Sequence, residues 1–278
     1  MLADPRPALP RRLHRILIRV QFPAEHLCQG HRPLRQGRFH DCPDNADGAQ
    51  ASGPIGFRAA TGAHRLGEGQ DVDDRELGAR PEVQYVFIFE NKGREIGVTL
   101  SHPHGQIYAY PFIPPKLERE LYAMRRHHES TGGNLLLEIT QYELEDGRRI
   151  VQRMDGWVAF VPFFARYPYE VYLVPEQPRR DLLDLTDAEI TGLARILKDA
   201  LRRYDALWGF SLPYIMAQHP RPTDGGEHPY WQFHIEFYPP YRTRDKLKYL
   251  AGSESGAGVF INDTLPEETA KTLREVEV

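Results

Sequence analysis

His102 and His104 stand on either side of Pro103 and are followed directly by Gly105 and Gln106. In extended chain alternate side chains share a face, so His102, His104 and Gln106 project together, while Pro103 points away and donates no backbone hydrogen bond. An imidazole with an unperturbed pKa near 6.5 is at least about half neutral at physiological pH, and it is both a nucleophile and a competent leaving group. Gly105 lets a bulky phosphate approach the backbone, and the Gln106 amide is an uncharged donor for a phosphoryl oxygen. The chemistry that fits is a phosphate site whose nucleophile is His104. An isolated His-x-His is more often structural or metal-binding; the proline, glycine and glutamine around this one shift the balance towards phosphoryl transfer.

The elements that must hold this motif can be read around it. Residues 83–89 form a β-branched and aromatic run that predicts a buried strand, with Asn91-Lys92-Gly93 as a turn. Residues 96–100 predict a second short strand leading into the motif, with Gly97 allowing a close backbone approach. Residues 106–110 continue extended until Pro111, Pro114 and Pro115. A helix is predicted over 116–128 with Leu117, Leu121 and Met124 on one face, which sets Glu120 near the end of the preceding strand. Downstream, residues 157–162 and 169–175 predict a strand pair. The capping box Thr186-Asp187-Ala188-Glu189 opens a helix running to about Trp208, with Ile190, Leu193, Ile196, Leu197 and Leu201 inward and Gly209 as its stop. Residues 214–219 and 231–238 predict two more strands.

Composition bounds the rest. The 278 residues are 41% hydrophobic and 27% charged, with no apolar run near the roughly 18 residues of a membrane span. A net charge of −4 without a basic stripe argues against nucleic acid held by phosphate neutralisation. The polar, proline-rich start and only two cysteines, Cys28 and Cys42, point to the cytoplasm. Residues 1–80 contain no Lys, Tyr or Trp, whereas all 14 Tyr and 3 Trp lie beyond them. This early segment reads as poorly ordered: either a flexible extension or a stretch standing in place of a folded half. Three regions follow: 1–80 atypical, 81–150 carrying the motif, and 151–278 with the fuller strand and helix pattern. Residues 81–150 repeat only the later part of that pattern, so their opening elements ought to lie in 1–80. No Walker glycine loop occurs, and Gly67-Glu68-Gly69 lacks the third glycine of a dinucleotide fingerprint. The pairs Glu118/Glu120 and Asp181/Asp184 read as solvated charges rather than acid/base dyads.

Phe89-Glu90-Asn91-Lys92-Gly93 followed by His102-Pro103-His104-Gly105-Gln106-Ile107-Tyr108-Ala109 resembles the signature of galactose-1-phosphate uridylyltransferases in the histidine-triad superfamily. The resemblance implies an α+β fold: a histidine-triad-like antiparallel sheet with helices packed on it, in two related half-modules of which the first is incomplete. It implies that His104 attacks the α-phosphorus of UDP-glucose, releases glucose 1-phosphate and holds UMP until galactose 1-phosphate takes it. Hydrolytic members of the superfamily carry a third histidine where this chain has Gln106, which cannot donate a proton as they require; transfer is thereby favoured. Asn91 would help place the nucleotide and Gly105 the phosphate. Thr99 stands where the family often has a phosphate-contacting serine. Lys248 and Glu254 fall in a segment resembling one that reaches towards the hexose phosphate, typically in a partner subunit, so a homodimer is implied.

The same resemblance implies zinc or iron. Glu120, sixteen positions after His104, together with His219 and His234, which are fifteen apart, matches the spacing of the family's structural metal site. Where the family often has another histidine, this chain has Glu236, which alternation places on the face of His234 and which can still ligate a borderline metal. The family's zinc near the active site needs a Cys-x-x-Cys pair that this chain lacks; only His102 occupies a matching position. The other readings of the whole are a related nucleotide-sugar phosphorylase using the same His104 chemistry, and a truncated, inactive relative that keeps the metal-binding module.

Overall fold

The computed structural model describes residues 16–18, 74–98 and 105–278. His102, His104 and Thr99 lie outside the described residues, as does most of the 1–80 segment. Two elements are described within that segment. Strand β1 (Ile16–Ile18) falls in its one apolar stretch, and α1 is a short helix (Asp74–Gly78).

Strands β2 (Tyr85–Lys92) and β3 (Gly105–Tyr110) flank the motif. Helices α2 (Pro115–Thr131) and α3 (Leu135–Asp146) follow. Then come β4 (Ile150–Met154), β5 (Trp157–Phe160), β6 (Val171–Pro175), α4 (Asp187–Leu207), β7 (Tyr214–His219) and β8 (His234–Tyr238). A small hairpin of β9 (Tyr241–Thr243) and β10 (Lys246–Leu247) and a final helix α5 (Pro266–Glu275) close the chain. All strands but that hairpin form one antiparallel sheet in the order β1-β3-β2-β7-β8-β6-β5-β4. The α+β sheet with packed helices is therefore as the motif resemblance implies. Strands from residues 81–150 and from 151–278 share it, joined where β2 pairs with β7. Among the described residues no helix is long and apolar enough to cross a membrane.

Each face of the sheet is covered by helices whose apolar stripes the sequence carries. On one face α4 and α5 bury Leu193, Ile196, Leu197, Ala270 and Leu273 against Trp157, Leu173, Ile235 and Phe237. Each such side chain contributes about 1.5–3 kcal/mol when fully buried. Thr186 caps α4 through its hydroxyl, and the Glu189 side chain reaches back to the Thr186 amide. Gly192 sits where α4 meets the β4–β5 turn; a Cβ there would collide with the Asp155 carbonyl. On the opposite face α2 and α3 bury Leu117, Leu121, Met124 and Leu136 against Tyr85, Phe160, Tyr172 and Trp231. Pro115 begins α2, where its missing N–H is no loss.

Some elements differ from the sequence reading. Residues 96–98 are not a strand: Arg94–Ile96 form a 3-10 turn, closed by the Gly97 amide donating to the Arg94 carbonyl at 2.9 Å. Gly97 adopts a left-handed φ of 82°, which glycine takes without a steric cost, and among the described residues nothing lies within 4 Å of an added Cβ. Asn91 and Lys92 continue β2 instead of turning, because they pair with Ile215 and Tyr214. Residues 231–233 lie outside β8, as the Phe233 amide donates to the Arg179 carbonyl at 2.6 Å rather than to a neighbouring strand. Three strands, not two, precede α4. Helices α3 and α5, whose apolar stripes are interrupted by charge, are additional.

Candidate active face and metal centre

The register aligns one row of side chains across the sheet. Gln106 opposes Phe89, Phe89 opposes Ala217, Ala217 opposes Glu236, and Glu236 opposes Tyr172. All five therefore lie on the α2/α3 face. Asn91 follows Phe89 by two on β2, so it shares this face as a diagonal neighbour of Gln106. At about 4.8 Å per strand, Gln106 and Glu236 stand roughly 14 Å apart.

At the β2/β3 end the polar groups are half-buried and only partly engaged. The Tyr108 hydroxyl donates to Gln106 Oε1 at 3.1 Å, and among the described residues no acceptor meets the Gln106 NH2. Phe87, Phe89, Tyr108 and Tyr110 form an aromatic ladder beside it, with Phe87–Phe89 stacked at 5.2 Å and Phe89–Tyr108 edge-on at 4.9 Å. Gly105 opens β3 opposite Glu90. On the reverse face Glu90 is buried and accepts from the Tyr214 hydroxyl at 3.1 Å.

At the β7/β8 position four groups from three elements converge. His219 ends β7, directly opposite His234 at the start of β8; Glu236 is two residues further on; Glu120 reaches in from α2. One ligand atom from each lies within 4.8 Å of all the others. His219 Nδ1 and Glu120 Oε2 are 2.8 Å apart, His234 Nε2 and Glu236 Oε1 3.3 Å, and His219 Nε2 and Glu236 Oε2 3.6 Å. His234 Nδ1 donates to the Gln232 carbonyl at 2.9 Å, which fixes the tautomer and turns Nε2 inward. Tyr172 stacks on the His234 ring, and the Trp231 indole N–H donates to the His219 carbonyl at 3.1 Å.

The electrostatics suit a cation. Burial lowers the pKa of His219 against the pull of Glu236 and Glu120. Burial works the other way on Glu236, but His219 and the Lys116 ammonium outweigh it and hold this carboxyl well below the ordinary range. For Glu120, too, burial is outweighed, chiefly by His219. Two imidazoles and two carboxylates in a buried setting fit a borderline divalent ion such as zinc or ferrous iron. Nearby Glu170 is buried with one carboxylate oxygen unpartnered, and burial, then Glu236, raises its pKa to about 7.

The fold thus gathers Glu120, His219, His234 and Glu236 in one centre and places Gln106 and Asn91 together elsewhere on the same face. Lys248 and Glu254 engage each other: Nζ and Oε1 are 3.4 Å apart in a nearly buried pair, and Glu254 also accepts from the Ala251 and Ile261 amides. Asp181 caps a turn and pairs with Arg221, and Asp184 pairs with Arg180. Two participants escaped the sequence reading. Lys116 could have been found from its i, i+4 spacing to Glu120, and Tyr108 from its alternation with Gln106.

Comparison with known proteins agrees with this architecture. Residues 119–277 match the family described as galactose-1-phosphate uridyl transferase, C-terminal domain, and residues 70–114 match its N-terminal domain. The chain belongs to the galactose-1-phosphate uridylyltransferase family. It is 42% identical over 206 residues to the galactose-1-phosphate uridylyltransferase of Thermotoga maritima, covering 73% of this chain and 64% of that one. The Haemophilus influenzae enzyme of the same name is 38% identical, over 72% of this chain and 57% of that one. A solved uridylyltransferase superposes with a TM-score of 0.67 at 40% identity, covering 72% of this chain and 62% of the other. An ADP-glucose phosphorylase from Arabidopsis thaliana, solved with ADP-glucose bound, gives 0.65 at 26% identity over 73% and 63%. The chain spans somewhat under two thirds of the length of these relatives.

Proposed function

We propose that this protein transfers a uridylyl group from UDP-glucose to galactose 1-phosphate through a uridylyl-histidine intermediate on His104. The observation that carries the proposal is the run His102 to Gln106 leading straight into β3, within a chain of this family. An imidazole nitrogen of His104 attacks the α-phosphorus, the bond to the bridging oxygen breaks, and glucose 1-phosphate leaves. A phosphate oxygen of galactose 1-phosphate then attacks the same phosphorus and the P–N bond breaks, which restores His104 and gives ping-pong kinetics. The Gln106 NH2 donates to a non-bridging oxygen as negative charge builds there, and with no acidic proton to give, it does not promote hydrolysis. Asn91, Thr99 and Gly105 position the nucleotide and its phosphates, and the aromatic ladder beside Gln106 offers a flat apolar flank.

Glu120, His219, His234 and Glu236 would hold zinc or iron. At about three strand spacings from Gln106, an ion held there would supply cross-linking charge between α2, β7 and β8 rather than contact with substrate. His102 stands where the family's second metal is bound, without the cysteine pair. In this reading residues 81–150 and 151–278 are two related half-modules, the first of them incomplete, preceded by an atypical segment over 1–80. A homodimer would bring the Lys248–Glu254 segment towards the partner's hexose phosphate, and the setting is cytoplasmic.

The test is a trapping experiment on the full chain. Incubation with uridine-labelled UDP-glucose is expected to leave label on the protein, lost in His104→Ala and kept in His127→Ala, whose ring pairs with Glu138 at 2.9 Å on the α2–α3 side. Label retained by His104→Ala would overturn the assignment. The alternative reading, with an ADP-glucose phosphorylase of similar structure as its parallel, is that orthophosphate takes the nucleotidyl group. Release of a nucleoside diphosphate with orthophosphate, but no hexose exchange, would select it. Metal binding without labelling or turnover would instead mark an inactive relative.

A further inference from the structure

The centre that gathers Glu120, His219, His234 and Glu236 has a fifth member, and it is a cation. Lys116 lies in the first turn of α2, one turn before Glu120, so both reach over the same side of the helix. Its Nζ contacts Glu236 Oε2, the oxygen that faces His219 Nε2, and also the hydroxyl of Tyr238, two residues along β8 on the same face. It lies 3.4 Å from Glu120 Oε1, while Glu120 Oε2 is turned to His219. The ammonium thus holds both carboxylates that a metal ion would need.

We propose that Lys116 is a built-in counter-cation that competes with the metal ion for Glu236 and Glu120, so that metal enters this centre by displacing the ammonium. The proposal rests on reading the four residues as a metal centre. A second carboxylate in the place where the family often has a histidine leaves the centre with two negative charges, one of them on a fully buried side chain. A buried carboxylate without a cation is strongly unfavourable, and Lys116 supplies one when no metal does. A divalent ion and an ammonium cannot both sit against the same carboxylate oxygens, because their repulsion in this dry setting is large. The lysine has a way out: its side chain is 27% exposed, against 1% for Glu236, so it stands at the mouth of the centre. Displaced, its long stem reaches water while the ring of Tyr238, now 4.9 Å from Nζ, remains beside it.

The test titrates zinc into the metal-stripped full chain against a chromophoric chelator. Lys116→Met, which keeps the stem and removes the charge, is expected to bind zinc at least about tenfold more tightly than the wild type. It is also expected to gain more in melting temperature on zinc addition. In a Glu236→His background, where the buried one of the two contested carboxylates is gone, the effect of Lys116→Met should shrink to less than half of its wild-type size; an undiminished effect overturns the competition for Glu236. Equal or weaker zinc binding by Lys116→Met overturns the competition while leaving the metal centre standing. Zinc binding by neither protein, or binding unchanged in His234→Ala, overturns the metal centre itself. A measurement on the wild type needs no variant to fold: acylation of Lys116 by an amine-reactive ester, read by peptide mass spectrometry, should rise several-fold on zinc loading. No rise overturns the displacement.

Discussion

Two sites share one face of one sheet, about three strands apart, and they are built in opposite ways. The β7/β8 centre is dry, and every ligating group in it is already engaged: His219 with Glu120, His234 with Gln232 and Glu236, Glu236 with Lys116. The β2/β3 end is half-open, and among the described residues its Gln106 is engaged on the oxygen only. A buried network of that kind fixes geometry and is destabilised by loss of any member, because each loss leaves a partner unpaired. A partly engaged polar group at an accessible strand costs little to keep and can answer a charge that appears there during reaction. On the proposed function the chain separates holding from reacting, and the separation can be challenged by substitution.

His234→Ala should have the largest effect, about 3–5 kcal/mol of unfolding free energy by denaturant titration, since it removes a buried ring stacked on Tyr172 and strips Glu236 of a partner. Labelling by UDP-glucose in the folded fraction should persist; its complete loss there would join the two sites functionally. Gln106→Ala is expected to act in the opposite sense: the transfer rate falls about 10²–10³-fold, equivalent to about 3–4 kcal/mol of transition-state stabilisation, with unfolding free energy unchanged within about 0.5 kcal/mol. Stability loss comparable to that of His234→Ala would break the contrast.

Glu170 sharpens it through pH. Its carboxyl is raised from the ordinary value to about 7, chiefly by burial, so the folded protein holds this proton through a range where the unfolded chain has lost it. Stability from this group is therefore full below about pH 4.5 and declines as pH rises to about 7, by at most about 3 kcal/mol. Glu170→Gln should flatten that decline, followed by melting temperature between pH 4.5 and 8. An unchanged slope would mean that the charge is relieved in another way. Thr186→Ala is the smallest expected change and the control: loss of the α4 cap costs about 1 kcal/mol, with metal binding and transfer unaltered.

Much of this was legible without coordinates. Periodicity placed α2 with Leu117, Leu121 and Met124 inward and placed α4 with its capping box, because a 3.6-residue stripe and a side-chain cap are local facts. Alternation placed His234 and Glu236 on one face of a strand for the same reason. Residues 96–98 misled because β-branched residues there look like strand, whereas the turn is set by hydrogen bonds back to Gly93 and Arg94. The 231–233 segment misled because the Trp231 amide closes a turn onto the His228 carbonyl and the Phe233 amide donates to the distant Arg179 carbonyl.

By itself, then, the sequence determined the histidine motif and the types of residue able to bind phosphate and metal, since nucleophilicity, ligand softness and local periodicity belong to residues and their near neighbours. Only the tertiary structure decided that Glu120, ninety-nine positions before His219, meets it at 2.8 Å, and that Lys116 enters the same centre. Only the pairing of β2 with β7 set that centre apart from Gln106. Distances between elements follow from sheet order and helix packing, which are properties of the whole chain's burial and hydrogen bonding, and no local pattern encodes them.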